Sequence, residues 1–149
     1  MMGRISETVK VGGGEIVGII PNALLARERG RVELADLRIV RSMHERKAMM
    51  VEISDGFIAL PGGFGTFEEF CEIVTWAQLG LHAKPVGLLN VAGYFDPLIQ
   101  QFDHAVSEGF AHPDNCGLIL HERDPGRLLD LMESYQPPVV EQWIDPDEA

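Results

Sequence analysis

Gly56-Phe57-Ile58-Ala59-Leu60-Pro61-Gly62-Gly63-Phe64-Gly65-Thr66-Phe67-Glu68-Glu69 is the stretch that decides the fold. An apolar run rich in chain-stiff residues, 56–60, reads as a strand and enters a Pro-Gly-Gly turn. A helix follows at once, with Thr66 as its expected N-cap and Glu69 at its third position, together a capping box. Such a junction aims backbone N–H groups and the positive end of a helix dipole at one point, which makes an anion site. Glycine suits the loop because the chain turns sharply there and a ligand can approach the backbone closely.

Downstream, Phe67, Phe70, Ile73, Val74 and Ala77 recur at helical spacing, and Gly80 ends that helix. Pro85-Val86-Gly87-Leu88-Leu89-Asn90 has no polar alternation and reads as a strand buried on both faces. Asp96-Pro97 reads as N-cap and first residue of a helix to Glu108, closed by Gly109. Gly117-Leu118-Ile119-Leu120 is a fifth strand, and Asp124-Pro125 opens a helix ending near Tyr135. Pro137-Pro138 begins an acidic tail, expected to be mobile.

Upstream, Met1 to Val11 has Ile5 and Val9 at helical spacing and ends at Gly12-Gly13-Gly14. The triple glycine precedes the strand Glu15–Ile20, whereas a dinucleotide fingerprint must follow a strand. It therefore reads as a helix C-cap and turn. Pro21 is expected to stop the strand, and 22–28 reads as a short helix. The nearby Arg27, Arg29 and Arg31 read as a solvated basic loop. Leu37–Val40 is another strand. Ser42-Met43-His44-Glu45 is a capping box, with Glu45 reaching back to Ser42, for a helix to about Ile53. Arg46 and Lys47 lie early in that helix, where cations oppose the dipole. Either an anion binds there, or both side chains point into water.

Five short apolar strands alternating with amphipathic helices predict an α/β fold, a doubly wound parallel sheet with helices on both faces. Residues 1–136 read as one nucleotide-binding domain and 137–149 as its tail. Ligands of such sheets bind beyond the carboxyl ends of strands, where both helix starts fall. A doubly wound domain rarely begins with a helix, which points to a leading strand and loop absent from this chain.

The chain of 149 residues carries 23 acidic against 12 basic residues, a net charge of −11. That balance disfavours a nucleic-acid partner, which rewards clustered Lys and Arg. Cys71 and Cys116 show no metal spacing and suggest no disulfide scaffold, which fits a reduced cytoplasmic setting. No apolar run approaches the roughly 18 residues of a membrane span, so no membrane partner is expected.

Ser42-Met43-His44-Glu45-Arg46-Lys47 followed by Pro61-Gly62-Gly63-Phe64-Gly65-Thr66-Phe67-Glu68-Glu69 resembles the Lonely Guy family. These are cytokinin riboside 5′-monophosphate phosphoribohydrolases, often mislabelled as lysine decarboxylases. Their pattern Pro-Gly-Gly-x-Gly-Thr-x-x-Glu is met at every fixed position. The likeness continues through 75–80, 84–90 and Gly93-Tyr94-Phe95-Asp96, to about Leu131. It implies hydrolysis of the N-glycosidic bond of a nucleoside 5′-monophosphate, AMP or prenylated AMP, without a cofactor. It further implies Arg46 and Glu69 as the catalytic pair and Gly62, Gly63, Gly65 and Thr66 as the phosphate loop. Met43 and Lys47 would lie beside the nucleotide, and the protein would be a homodimer. Without the resemblance, Glu69 reads as a capping residue, and pattern does not separate it from Glu68.

The departure is at the N-terminus, where the family carries an earlier strand and glycine-rich loop. The expected activity therefore belongs to the form that has them. Two other readings share the fold: a non-catalytic nucleotide or molybdenum-cofactor carrier, and an inactive truncated subunit. Lysine decarboxylation is disfavoured, because it normally uses a pyridoxal phosphate Schiff base. Lys10, Lys47 and Lys84 sit in no recognisable cofactor motif.

Overall fold

The structure is a computed structural model that describes residues 2–28 and 36–138. The chain divides into two compact units, Met1–Ser54 and Asp55–Ala149, and each is described by itself. Both are α/β, with parallel sheets flanked by helices, as expected from the alternating pattern. Arg29, Arg31 and the tail from residue 139 lie outside the described residues. Among the described residues, no helix is long and apolar enough to cross a membrane.

The first unit runs α1 (Met2–Val11), β1 (Val17–Pro21), α2 (Asn22–Glu28), β2 (Asp36–Val40) and α3 (Met43–Ile53). β1 and β2 pair in parallel, from Val17 opposite Asp36 to Pro21 opposite Val40. The strand expected over Glu15–Ile20 runs Val17–Pro21, and Pro21 ends it as its last residue, where a missing N–H costs least. Ile20 and Val40 are the buried apolar positions of this pair. The triple glycine closes α1 as expected. Gly14 N–H reaches Val9 O (2.9 Å), Gly13 N–H reaches Lys10 O (3.1 Å), and Gly13 takes φ +78. That is a Schellman cap. Gly80 and Gly109 close two helices of the second unit in the same way.

The second unit contains β3 (Phe57–Ala59), α4 (Phe64–Gln78), β4 (Val86–Leu89), α5 (Asp96–Ser107), β5 (Ile119–Glu122) and α6 (Pro125–Glu133). Its sheet has the order β3-β4-β5, all parallel. Parallel neighbours need a crossover, supplied by α4 and then α5. β4 is central, and Val86 and Leu88 are buried as its unbroken apolar run predicts. Leu128 of α6 packs over Gly87, close enough that a β-carbon there would sit 3.1 Å from its methyl. Phe70, Ile73 and Ala77 of α4 complete the core with Phe95 and Leu118. Burial of each large apolar side chain contributes roughly 1.5–3 kcal/mol.

Two boundaries toward the C-terminus also differ from expectation. The fifth strand is not 117–120 but Ile119–Glu122, because a 3-10 turn over Pro113–Leu118 takes up the start of the apolar run. Asp96 is not an N-cap; Phe95 holds that position, and the Asp96 carboxylate is engaged by Asn90 Nδ2 (2.6 Å). Asp124, by contrast, caps α6 as expected, accepting from Arg127 N–H (2.9 Å).

Candidate active site

The start of α3 is built by side chains. Ser42 is the N-cap, and its hydroxyl accepts the Glu45 N–H at 3.1 Å. Glu45 does not reach back to Ser42 as a capping box requires. Its carboxylate accepts instead from Arg41 N–H (2.7 Å), one residue further upstream. Met43, Arg46 and Lys47 follow at i, i+3 and i+4, so they share one face of the helix. Arg46 does not simply point into water. It is half-buried, and its Nε–H donates to Ile19 O in β1 (3.2 Å), which fixes the plane of the guanidinium.

The start of α4 is built by backbone. The helix begins at Phe64 with Gly63 as N-cap, and no side chain caps it. The expected Thr66–Glu69 capping box is therefore absent. Thr66 is the third helical residue and Glu69 the sixth, beyond reach of the N-terminal amides. The Gly63 carbonyl accepts from both Thr66 N–H (3.0 Å) and Phe67 N–H (3.2 Å). The N–H groups of Phe64 and Gly65 precede the first helical acceptor and find none within the helix.

The three loop glycines are not equivalent. A β-carbon on Gly62 would collide with the Thr66 hydroxyl, so the chain itself demands glycine there. Gly63 and Gly65 have nothing within 4 Å of a β-carbon and do not take positive φ. The fold does not require glycine at either position. Glu69 lies one turn below Thr66 on the same face, and both are half-buried, whereas Glu68 is exposed. That separates the adjacent carboxylates, which pattern alone left equivalent.

Gly62, Gly63, Gly65, Thr66 and Glu69 thus cluster within the second unit. Met43, Arg46 and Lys47 cluster within the first. One neighbour of the loop escaped the sequence reading: Tyr94, whose hydroxyl donates to the Gly62 carbonyl. Its only signal was the Gly93–Asp96 stretch, noted without a role. A cavity of about 350 Å³ opens beyond the ends of β4 and β5, lined by Asn90, Asp96, Ile99, Gln100, Glu122 and Arg123 among others.

The family model described as possible lysine decarboxylase matches residues 2–132. The chain belongs to this family. Among similar proteins, the probable cytokinin riboside 5′-monophosphate phosphoribohydrolase LOGL5 of Oryza sativa subsp. japonica is 51% identical over 138 residues, covering 93% of this chain and 56% of its own. The LOGL9 protein of the same plant is 48% identical over 137 residues, covering 92% of this chain and 60% of its own. Cytokinin riboside 5′-monophosphate phosphoribohydrolase LOG3 of Arabidopsis thaliana is 47% identical, covering 92% and 64%. The resemblance to the Lonely Guy family therefore holds. The chain spans less than two thirds of the length of each of these relatives.

Proposed function

We propose that this chain carries the phosphate loop and catalytic pair of a nucleoside 5′-monophosphate phosphoribohydrolase, acting on AMP or a prenylated, cytokinin-type AMP in the cytoplasm as a homodimer. The observation that carries the reading is the start of α4. It has no side-chain cap, and it has glycines at 63 and 65 that the fold does not need. Glycine there leaves the backbone open to a ligand as bulky as a phosphate, and the helix dipole favours the anion. The names of its relatives support the same substrate class.

In this reading the phosphate rests on the 62–66 backbone of the second unit, and the resemblance gives Arg46 a catalytic role and Met43 and Lys47 nucleotide-binding roles. Cleavage of the N-glycosidic bond sends its electron pair to the base and leaves developing positive charge on the ribose. The Glu69 carboxylate stabilises that charge or takes a proton from the attacking water. Water supplies the hydroxyl at the anomeric carbon and, in net balance, the proton gained by the base. The products are free base and ribose 5-phosphate. Arg46, planar and already oriented through Nε, suits bidentate binding of phosphate or carboxylate.

Lysine decarboxylation is not proposed, because the lysines do not fit a pyridoxal phosphate site. Lys10 is exposed in the last turn of α1. Lys84 precedes β4, on the sheet edge opposite the Pro61 loop. Lys47 lies on the same helix face as Arg46 and is assigned to nucleotide binding.

The test is incubation of the chain with AMP and with isopentenyladenosine monophosphate, followed by chromatography of free base. Release of base supports the reading. Nucleotide binding without turnover, unchanged in Glu69→Ala, would favour the carrier reading instead.

A further inference from the structure

We infer that Tyr94 is a positioning residue for the phosphate loop: its hydroxyl sets the Gly62–Gly63 peptide so that the Gly63 N–H faces the bound anion. The inference rests on the reading of 62–66 as a phosphate site.

The chain goes to some length to place this side chain. After β4 it turns through two consecutive residues in the left-handed region, Ala92 (φ 54) and Gly93 (φ +74). A non-glycine residue adopts that conformation only when its surroundings enforce it. They do. Asn90 is 4% exposed, and its side chain spans the turn, donating to Asp96 Oδ1 (2.6 Å) and accepting the Phe95 N–H (2.7 Å). Its own N–H bonds Glu122 O (2.7 Å), which ties the turn to β5. Arg123 holds the other oxygen of Asp96 at 3.4 Å.

The turn then grips the start of α4 at two points. Phe95, 1% exposed, meets Phe67 edge-on, with ring centroids 6.4 Å apart at 79°. Tyr94 packs edge-on against Phe95 (5.1 Å, 85°) and donates its hydroxyl to the Gly62 carbonyl. A trans peptide is planar, with its C=O and N–H pointing in opposite directions. Fixing the Gly62 carbonyl toward Tyr94 therefore turns the Gly63 N–H to the opposite side. A glycine pair is the place where that plane would otherwise be free to rotate. The packing alone does not need the hydroxyl, because the ring contact with Phe95 would survive without it.

Tyr94→Phe removes the hydroxyl and keeps the ring. Three readings on the whole chain test the inference: amide hydrogen exchange at 62–67, affinity for inorganic phosphate and ribose 5-phosphate, and steady-state kinetics. The expected result is faster exchange confined to the loop, and phosphate affinity and nucleotide KM weakened about three- to tenfold, as loss of one hydrogen bond predicts. The expected kcat stays within about twofold, since the group touches no reacting atom. Unchanged loop exchange with unchanged phosphate affinity overturns the inference. So does faster exchange spread through β4 and β5 with a lowered Tm, which would make Tyr94 merely structural. If the wild-type chain binds phosphate but releases no base, the proposed activity fails, while exchange and affinity still decide the role of Tyr94.

Discussion

The starts of α3 and α4 each follow a strand directly, yet they are finished by opposite means. At α3 side chains take part: Ser42 accepts one first-turn amide, Glu45 N–H, and Glu45 itself turns back to Arg41 N–H just before the cap. Early in that helix follow two cationic side chains, Arg46 and Lys47. At α4 no side chain intervenes, the N-cap is a glycine, and what is offered is bare backbone. A helix start is therefore not an anion site by default. Its own residues decide whether the amides stay available, and here one start is self-capped and charged while the other is uncapped and neutral.

The hardest test of that division is Glu69→Gln together with Arg46→Ala. Each is expected to lower kcat for base release by about 10²–10⁴-fold, the range of a positioned acid–base group, with Tm nearly unchanged in Glu69→Gln and modestly lowered in Arg46→Ala, which also loses the bond to Ile19 O. The opposite pattern, activity kept and Tm lowered, would break the comparison by making Glu69 part of the helix start after all. Next come the two adjacent glycines. Gly62→Ala drives a methyl into the Thr66 hydroxyl and is expected to cost about 1–3 kcal/mol of stability, read by urea denaturation. Gly63→Ala meets open space and should leave stability alone, yet raise the nucleotide KM about tenfold, equivalent to ~1.4 kcal/mol of binding. Equal effects from the two substitutions would erase the distinction between a glycine the fold needs and one the ligand needs.

Ser42→Ala has a smaller expected effect, about 1 kcal/mol of stability from the lost cap. Thr66→Ala, which removes no cap, should not reproduce it. A common loss of stability in both would show that the two starts are capped alike.

Much of this arrangement was legible in the sequence because it is local. The strands, the glycine-closed helices and the Ser42 and Asp124 caps follow from residues within one turn of each other. The errors arose where a distant partner or the backbone overrode local preference. Thr66 has the better N-cap side chain, yet Gly63, a permitted N-cap, started the helix three residues earlier. Asp96 looks like a cap, but the buried Asn90 claims its carboxylate. The fifth strand slid toward His121 and Glu122 because pairing with Leu88 and Leu89 fixed its register. In the proposed site, Glu69 and Arg46 were picked out by family spacing, and the early cations Arg46 and Lys47 also drew notice by their misplaced charge. The grip of Tyr94 on Gly62 joins residues 32 apart, and no periodicity reports a contact of that kind.

The smallest expected effect lies away from the start of α4. His82 sits on the opposite edge of the second sheet, its Nε2 2.9 Å from Ile73 O and its Nδ1 accepting Lys84 N–H at 3.2 Å. A neutral ring with the proton on Nε2 satisfies both contacts. Burial, opposed by the Ile73 hydrogen bond and aided by the Lys84 charge, holds its pKa below the ordinary 6.5. The unfolded chain then binds the proton more readily than the folded one, so stability rises with pH across that range. The contribution of His82 is present above about pH 6.5 and is lost as pH falls toward the folded-state value. Urea midpoints measured at pH 7.5 and 5.5 should fall on acidification, and the fall should shrink in His82→Gln, which loses the titration. Base release by His82→Gln at pH 7.5 should match the wild type. A change in nucleotide KM would connect this edge to the ligand, and the functional contrast would no longer rest on the two helix starts alone.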